Sequence, residues 1–195
     1  MNKKRIILRF LCVALLLSGL GLLLYSPWKT AKRAEAYRQE IACLESYFRP
    51  DDVFSEKNQE AARPFSDLWD ACEAYNRLLL ETNQESISVR TMEDAPVRLA
   101  DYGWQAEAFG YLSIPAIDLE APIYLGASEE NLERGGAVVG QTSLPIGGEN
   151  THCTIAGHRS WRGAVLFRPV EKLLPGDLVL VTNPWETLTY EVVEV

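Results

Sequence analysis

Apolar and polar positions follow three different rules along this chain. From Ile6 to Tyr25 the residues are apolar almost without relief, interrupted by Arg9, Ser18 and two glycines. A helix of about 20 such residues spans the ~30 Å hydrocarbon layer of a bilayer. Past Trp28 the apolar positions thin to a stripe: Tyr37, Ile41, Leu44 and Phe48 step by four, three and four, the spacing of one helical face. Pro50-Asp51-Asp52 is expected to end that helix. A second begins near Pro64 and repeats the stripe at Leu68, Cys72, Tyr75 and Leu79. Two such stripes bury against each other or against whatever follows them. Asn83–Gln105 has no sustained period and reads as a linker or lid.

From about residue 106 the rule becomes short β-rich runs broken by turns. Gly110–Asp118, Ala121–Gly126, Ala137–Gln141, Thr151–Gly157, Asp177–Thr182 and Thr187–Val195 are strand candidates. Gly147-Gly148, Pro175-Gly176 and Asn183-Pro184 supply turns. A small helix capped by Ser128 lies between the second and third strands. Many short strands with few helices predict a mainly β fold, a barrel or sandwich. The alternating run Thr187–Val195 reads as an unfinished strand, which leaves an open sheet edge and predicts that further strands belong to this fold. The expected organisation is a cytoplasmic tail and transmembrane anchor over 1–27, an extracytoplasmic helical region with a linker or lid over 28–105, and a truncated β-barrel domain over 106–195.

Composition narrows the function. Of the 195 residues, 47% are hydrophobic and 24% charged, the balance of a folded chain, and the net charge of −8 argues against nucleic acid as a partner. Lys3, Lys4, Arg5 and Arg9 precede the apolar run, and a short basic tail favours an N-in, C-out single pass. A retained anchor fits better than a cleaved signal peptide, because the run is long and Ser26-Pro27-Trp28 is not a small-x-small cleavage site. The four cysteines, Cys12, Cys43, Cys72 and Cys153, are scattered and spell neither a disulfide framework nor a zinc site. Cys43 and Cys72 lie close to the two stripes and would approach one another if the helices paired.

Candidate chemistry gathers in Thr142–Arg159, TSLPIGGENTHCTIAGHR, which holds both histidines. His152 and His158 are six apart, so strand alternation sets them on one face and Cys153 on the other. Cys153 then reads as a small buried hydrophobe rather than a nucleophile for His158. A metal site on the two histidines lacks a third ligand, and no cofactor motif is present. His152 reads as a hydrogen-bonded structural residue. His158 follows Gly157 at a strand end and precedes a loop, where a rigid scaffold presents catalytic groups.

The ordered combination of AYN at Ala74–Asn76, GYLSIPAIDLEAPIYLG at Gly110–Gly126, TSLPIGGENTHCTIAGHR, LFRPVEKLLPGD at Leu166–Asp177 and TNPWETLTYEV at Thr182–Val192 resembles the sortases, most closely the pilin-polymerising class C group. The resemblance implies an eight-stranded β-barrel on the extracellular face of a Gram-positive cell membrane, here with its last strands missing. It implies a cysteine transpeptidase that cleaves an LPxTG-like sorting signal of a surface protein or pilin. The resulting thioester passes to an amine from a pilin lysine or a peptidoglycan peptide. The AGHR match makes His158 the general acid/base. The family's nucleophilic cysteine and its arginine lie past the position matching Val195, so the chain as given is expected to be inactive, and Arg159 is not that arginine. Where class C enzymes carry an Asp-Pro-aromatic lid anchor, this chain has Glu93-Asp94-Ala95-Pro96. The other reading is a non-catalytic, membrane-tethered binding protein on a sortase-like scaffold.

Overall fold

Helical period and strand alternation both survive into the computed structural model, which describes residues 3–48, 63–82 and 92–195. The apolar run and the first stripe are one helix, α1 (Lys3–Phe48), which continues through Pro27. At 1.5 Å per residue its 46 residues are about 69 Å long. Among the described residues it is the one helix long and apolar enough to cross a membrane. Its second half buries Tyr37, Ile41 and Leu44, the stripe read from the sequence. The expected stop at Pro50-Asp51-Asp52 lies outside the described residues, as do positions 83–91 of the linker.

The second stripe forms α2 (Ser66–Glu81), burying Leu68, Cys72, Asn76 and Leu79. The two stripes meet the β-region rather than only each other: Leu44, Leu68 and Cys72 join Phe109, Leu112, Ile123, Val138, Leu144 and Val181 in one core. Cys43 faces solvent while Cys72 is buried, and both are free thiols. Residues 92–105 are docked, with Val97 and Trp104 buried in that core. Trp104 meets Phe48 and Phe65 at ring centroid distances of 5.7 and 5.2 Å and donates through Nε1 to the Ala108 carbonyl at 3.0 Å.

The β-region is a six-stranded curled sheet, a half-barrel, in the order β4-β3-β2-β1-β7-β8. Its strands are β1 (Gly110–Ile114), β2 (Leu119–Leu125), β3 (Gly136–Val138), β4 (Ile155–Ala156), β7 (Leu178–Thr182) and β8 (Thr187–Glu191). A separate hairpin, β5 (Ser160–Trp161) and β6 (Ala164–Val165), follows β4. β2 and β3 run parallel across the short helix α3 (Glu129–Arg134), and the other pairs are antiparallel. Ser128 caps α3, its Oγ accepting from the Asn131 amide at 3.3 Å. α1 lies across β1, β2 and β6, and β2, between helix and core, is buried at every position except Glu120.

Only Ile155–Ala156 of the expected strand Thr151–Gly157 pairs as a strand. Before it, hydroxyls replace part of the ladder. The Thr154 amide donates to Thr142 Oγ1 and the His152 amide to Ser143 Oγ, both at 3.1 Å. Backbone bonds from Val139 to Thr154 and from Ser143 to His152 alternate with them. The stretch is therefore held extended by Thr142 and Ser143 side chains, which a backbone pairing pattern does not count.

Candidate functional site

The SLPIGG loop is the first thing the fold fixes near the histidines. Asn76, on α2, grips it with a complementary pair of bonds: Nδ2 donates to the Leu144 carbonyl at 3.1 Å, and Oδ1 accepts from the Leu144 amide at 2.7 Å. Tyr75 accepts from the Gln141 amide at 3.0 Å. From the other side, Asn183 donates to the Pro145 carbonyl at 3.0 Å while its Oδ1 accepts from the Trp185 and Glu186 amides. The AYN and TNPW matches are thus two clamps on one loop.

β4 then delivers Gly157, His158 and Arg159. Gly157 has no side chain for a packing reason: a Cβ there would lie 2.6 Å from Cε2 of the Phe167 ring. The backbone closes onto Phe167, and the Phe167 amide donates to the His158 carbonyl at 3.1 Å. The His158 imidazole stacks on Trp161, with centroids 4.6 Å apart and planes 12° from parallel. Its Nε2 is shielded from solvent and has no hydrogen-bond partner among the described residues, and the same holds for Trp161 Nε1. Trp161 is set by a two-residue turn in which Arg162 (φ 46°) and Gly163 (φ 88°) both take left-handed backbone, as type I′ hairpins require.

Arg159 points elsewhere. It pairs with Glu171, and both line an apolar cavity of about 730 Å³ together with Cys153, Ile155, Val179 and Tyr190. Cys153 lines this cavity and His158 does not. Burial pushes the Cys153 thiol up to about 12. His152 is exposed, lies at the cavity rim, and shares a 3.3 Å contact between Nε2 and Thr154 Oγ1. The two histidines are therefore not brought together, because the chain from Thr151 to Thr154 is not in regular strand geometry. The site residue that sequence reasoning missed is Trp161. It was visible only as part of a loop, and two-residue strands leave no periodic signal.

Residues 112–195 match the family model described as the sortase domain. These residues form a sortase domain. The family is one of cysteine transpeptidases. Among curated relatives, sortase D of Bacillus subtilis (strain 168) is 28% identical over 119 residues, which are 60% of this chain and 57% of that protein. Sortase A of Bacillus anthracis is 29% identical over 86 residues, 44% of this chain and 40% of that protein. The chain thus aligns with about half the length of these relatives. Among solved structures, sortase C1 of GBS pilus island 1 has a TM-score of 0.62 at 25% identity, covering 81% of this chain and 70% of that one. Sortase C-1 from Streptococcus pneumoniae has a TM-score of 0.63 at 27% identity, covering 80% and 76%. These alignments reach well beyond the sortase domain of this chain, so part of the region before it also has a counterpart in these two structures.

Proposed function

We infer that the chain is part of a membrane-anchored sortase that cleaves an LPxTG-like sorting signal and joins it to an amine, with His158 as general acid/base. The observation that carries this reading is the sortase-domain match running through a strand end where an imidazole is held by stacking and keeps its Nε2 unpartnered. In the reaction a thiolate attacks the threonine carbonyl carbon, the C–N bond to glycine breaks, and the imidazolium gives its proton to the departing amine. The incoming amine then attacks the thioester, and imidazole takes the proton back. The apolar half of α1 supports anchoring in the cell membrane, with the basic tail inside and the sortase domain outside. Sorting-signal-bearing surface proteins or pilins are the donors, and a pilin lysine or cell-wall peptide is the acceptor.

The thiol of this reaction is not Cys153. It lines the cavity rather than facing His158, and a thiol pushed to about 12 holds almost no thiolate at neutral pH. Residues 1–195 by themselves are therefore expected not to form the thioester. The test incubates an LPxTG peptide and an amine with this chain and with a chimera continued past Val195 by the corresponding last strands of the Bacillus subtilis sortase D. The chimera should form a thioester and the chain alone should not. His158→Ala in the chimera should slow turnover by roughly 10²–10⁴-fold, the usual worth of general acid–base catalysis. A loss below tenfold removes His158 from the chemistry, and a thioester on Cys153 overturns the expectation for the chain alone.

A further inference from the structure

The sortase domain is not separated from the apolar half of α1 by any length of free helix. Tyr25 closes the apolar run, and the backbone of Gly163, at the tip of the β5–β6 hairpin, rests on its ring: a Cβ at 163 would lie 2.6 Å from Tyr25 Cε1. One turn on, the Val165 amide donates to Thr30 Oγ1 at 2.9 Å. Further along, Tyr37 is buried against Ala121, Ala164 and Leu166. The hairpin is thus fixed to α1 at the level where the apolar residues stop.

The same level carries a basic and aromatic collar. Lys29 Nζ lies 5.6 Å from the ring centroids of both Tyr25 and Trp28, and Lys32 Nζ lies 5.6 Å from Trp28. Arg162, beside Gly163, keeps 73% of its side chain exposed, its one ionic partner among the described residues being Glu133 at 3.7 Å. Tyrosine and tryptophan favour the membrane–water interface. With the hydrocarbon edge at Tyr25, the next ~5–8 Å outward are headgroups. A hairpin touching Tyr25 lies inside that layer. Lys29, Lys32 and Arg162 then face lipid phosphates although the whole chain has a net charge of −8.

We propose that the Arg162–Gly163 tip of the β5–β6 hairpin seats in the lipid headgroup layer beside Tyr25 and Trp28, so that the sortase domain rests on the membrane and His158 works at its surface. This rests on the reading of α1 as a membrane anchor. Through the Trp161 stack, His158 is held by the same hairpin that meets the lipid. A scissile segment must then come down to the bilayer surface to reach the imidazole.

The test uses the full chain in vesicles of phosphatidylcholine and phosphatidylglycerol, with Cys12 and Cys43 changed to serine and a single nitroxide placed by Leu16→Cys, Arg162→Cys or Asp101→Cys. Asp101 lies near Trp104, which stacks on Phe48, 23 residues or about 35 Å along α1 from Tyr25. Collisional accessibility to oxygen and to a neutral nickel chelate reports depth. The label at 16 should see oxygen and little nickel, the label at 101 the reverse. The label at 162 should be several-fold less accessible to nickel than the one at 101. Tyr25→Ala, which removes the ring under Gly163 without adding bulk, should raise nickel access at 162. If 162 matches 101 while 16 stays in lipid, the docking proposal is wrong. If 16 is itself in water, the anchor reading fails.

Discussion

Asn76 shows what one side chain holds in place here. Both of its amide atoms are committed to Leu144, in a buried setting where water cannot replace them. Asn76→Ala leaves a buried N–H and a buried C=O without partners, and should lower unfolding stability by about 2–4 kcal/mol in a denaturant titration. Asn76→Asp should not rescue it, because a carboxylate still accepts from the Leu144 amide but faces the Leu144 carbonyl with no proton to give. Buried Cys72 and half-buried Cys153 make a second prediction. Burial pushes Cys72 and Cys153 up to about 12 from an ordinary 9.0. The folded chain keeps these protons at pH values where the unfolded chain loses them. Their contribution is therefore complete below pH 9 and is lost as pH rises from 9 toward 12. Denaturant midpoints should fall across that window, and less steeply in Cys153→Ala. A thiol reagent at neutral pH should modify exposed Cys43 well before buried Cys72 or half-buried Cys153. Rapid labelling of Cys153 would show that its cavity opens readily.

Elements long enough to repeat a pattern were legible in the sequence, as were the capped α3 and the run at β3, whereas the two-residue strands of the hairpin were not. The stripe Tyr37-Ile41-Leu44 and the stripe Leu68-Cys72-Leu79 predicted the buried faces of α1 and α2, since helical spacing leaves a signal over several turns. β1, β2, β7 and β8 carry five or more residues each and were found. β5 and β6 have two residues apiece, and their turn is Arg-Gly rather than a common Asn-Gly pair, so the hairpin was hidden inside a loop. With it went the Trp161 stack on His158, and the placement of His158 came from its motif rather than from its surroundings. The docking of α1 was also illegible, because it depends on partners far apart in the chain. Glu40 accepts from Tyr124 Oη at 2.6 Å and pairs with Arg134 at 3.3 Å, and Arg134 also pairs with Glu107 while lying 4.6 Å over the Tyr124 ring. Burial and then the Glu40 contact push the Tyr124 phenol up, so it stays a donor to Glu40. A double-mutant cycle of Glu40→Gln with Arg134→Met should return a coupling of about 1 kcal/mol, the scale of a partly exposed charged contact. Zero coupling would mean that α1 is held by its apolar face alone.

At the scale of the whole molecule the sheet is strongest in its middle. β1 and β2 are paired on both sides, and β2 is covered again by α1. β4 and β8 are the two edges, and residues from both sides of the opening, Ile155 and Tyr190 among them, line the 730 Å³ cavity. An edge strand has ladder bonds on one side only, and those bonds open with less of the structure than bonds at the centre. Hydrogen exchange on the chain in lipid should therefore rank its segments: 119–125 slowest, 178–182 intermediate, and 187–195 fastest by orders of magnitude. The outward amides of β8 decide what that edge does in solution. If segment 187–195 instead exchanges as slowly as β2, its outer edge is paired with another strand, and dilution distinguishes the sources. A second copy of the chain would release the protection as concentration falls. Protection that survives dilution would mean that the half-barrel closes on itself, bringing β8 to β4 across the cavity.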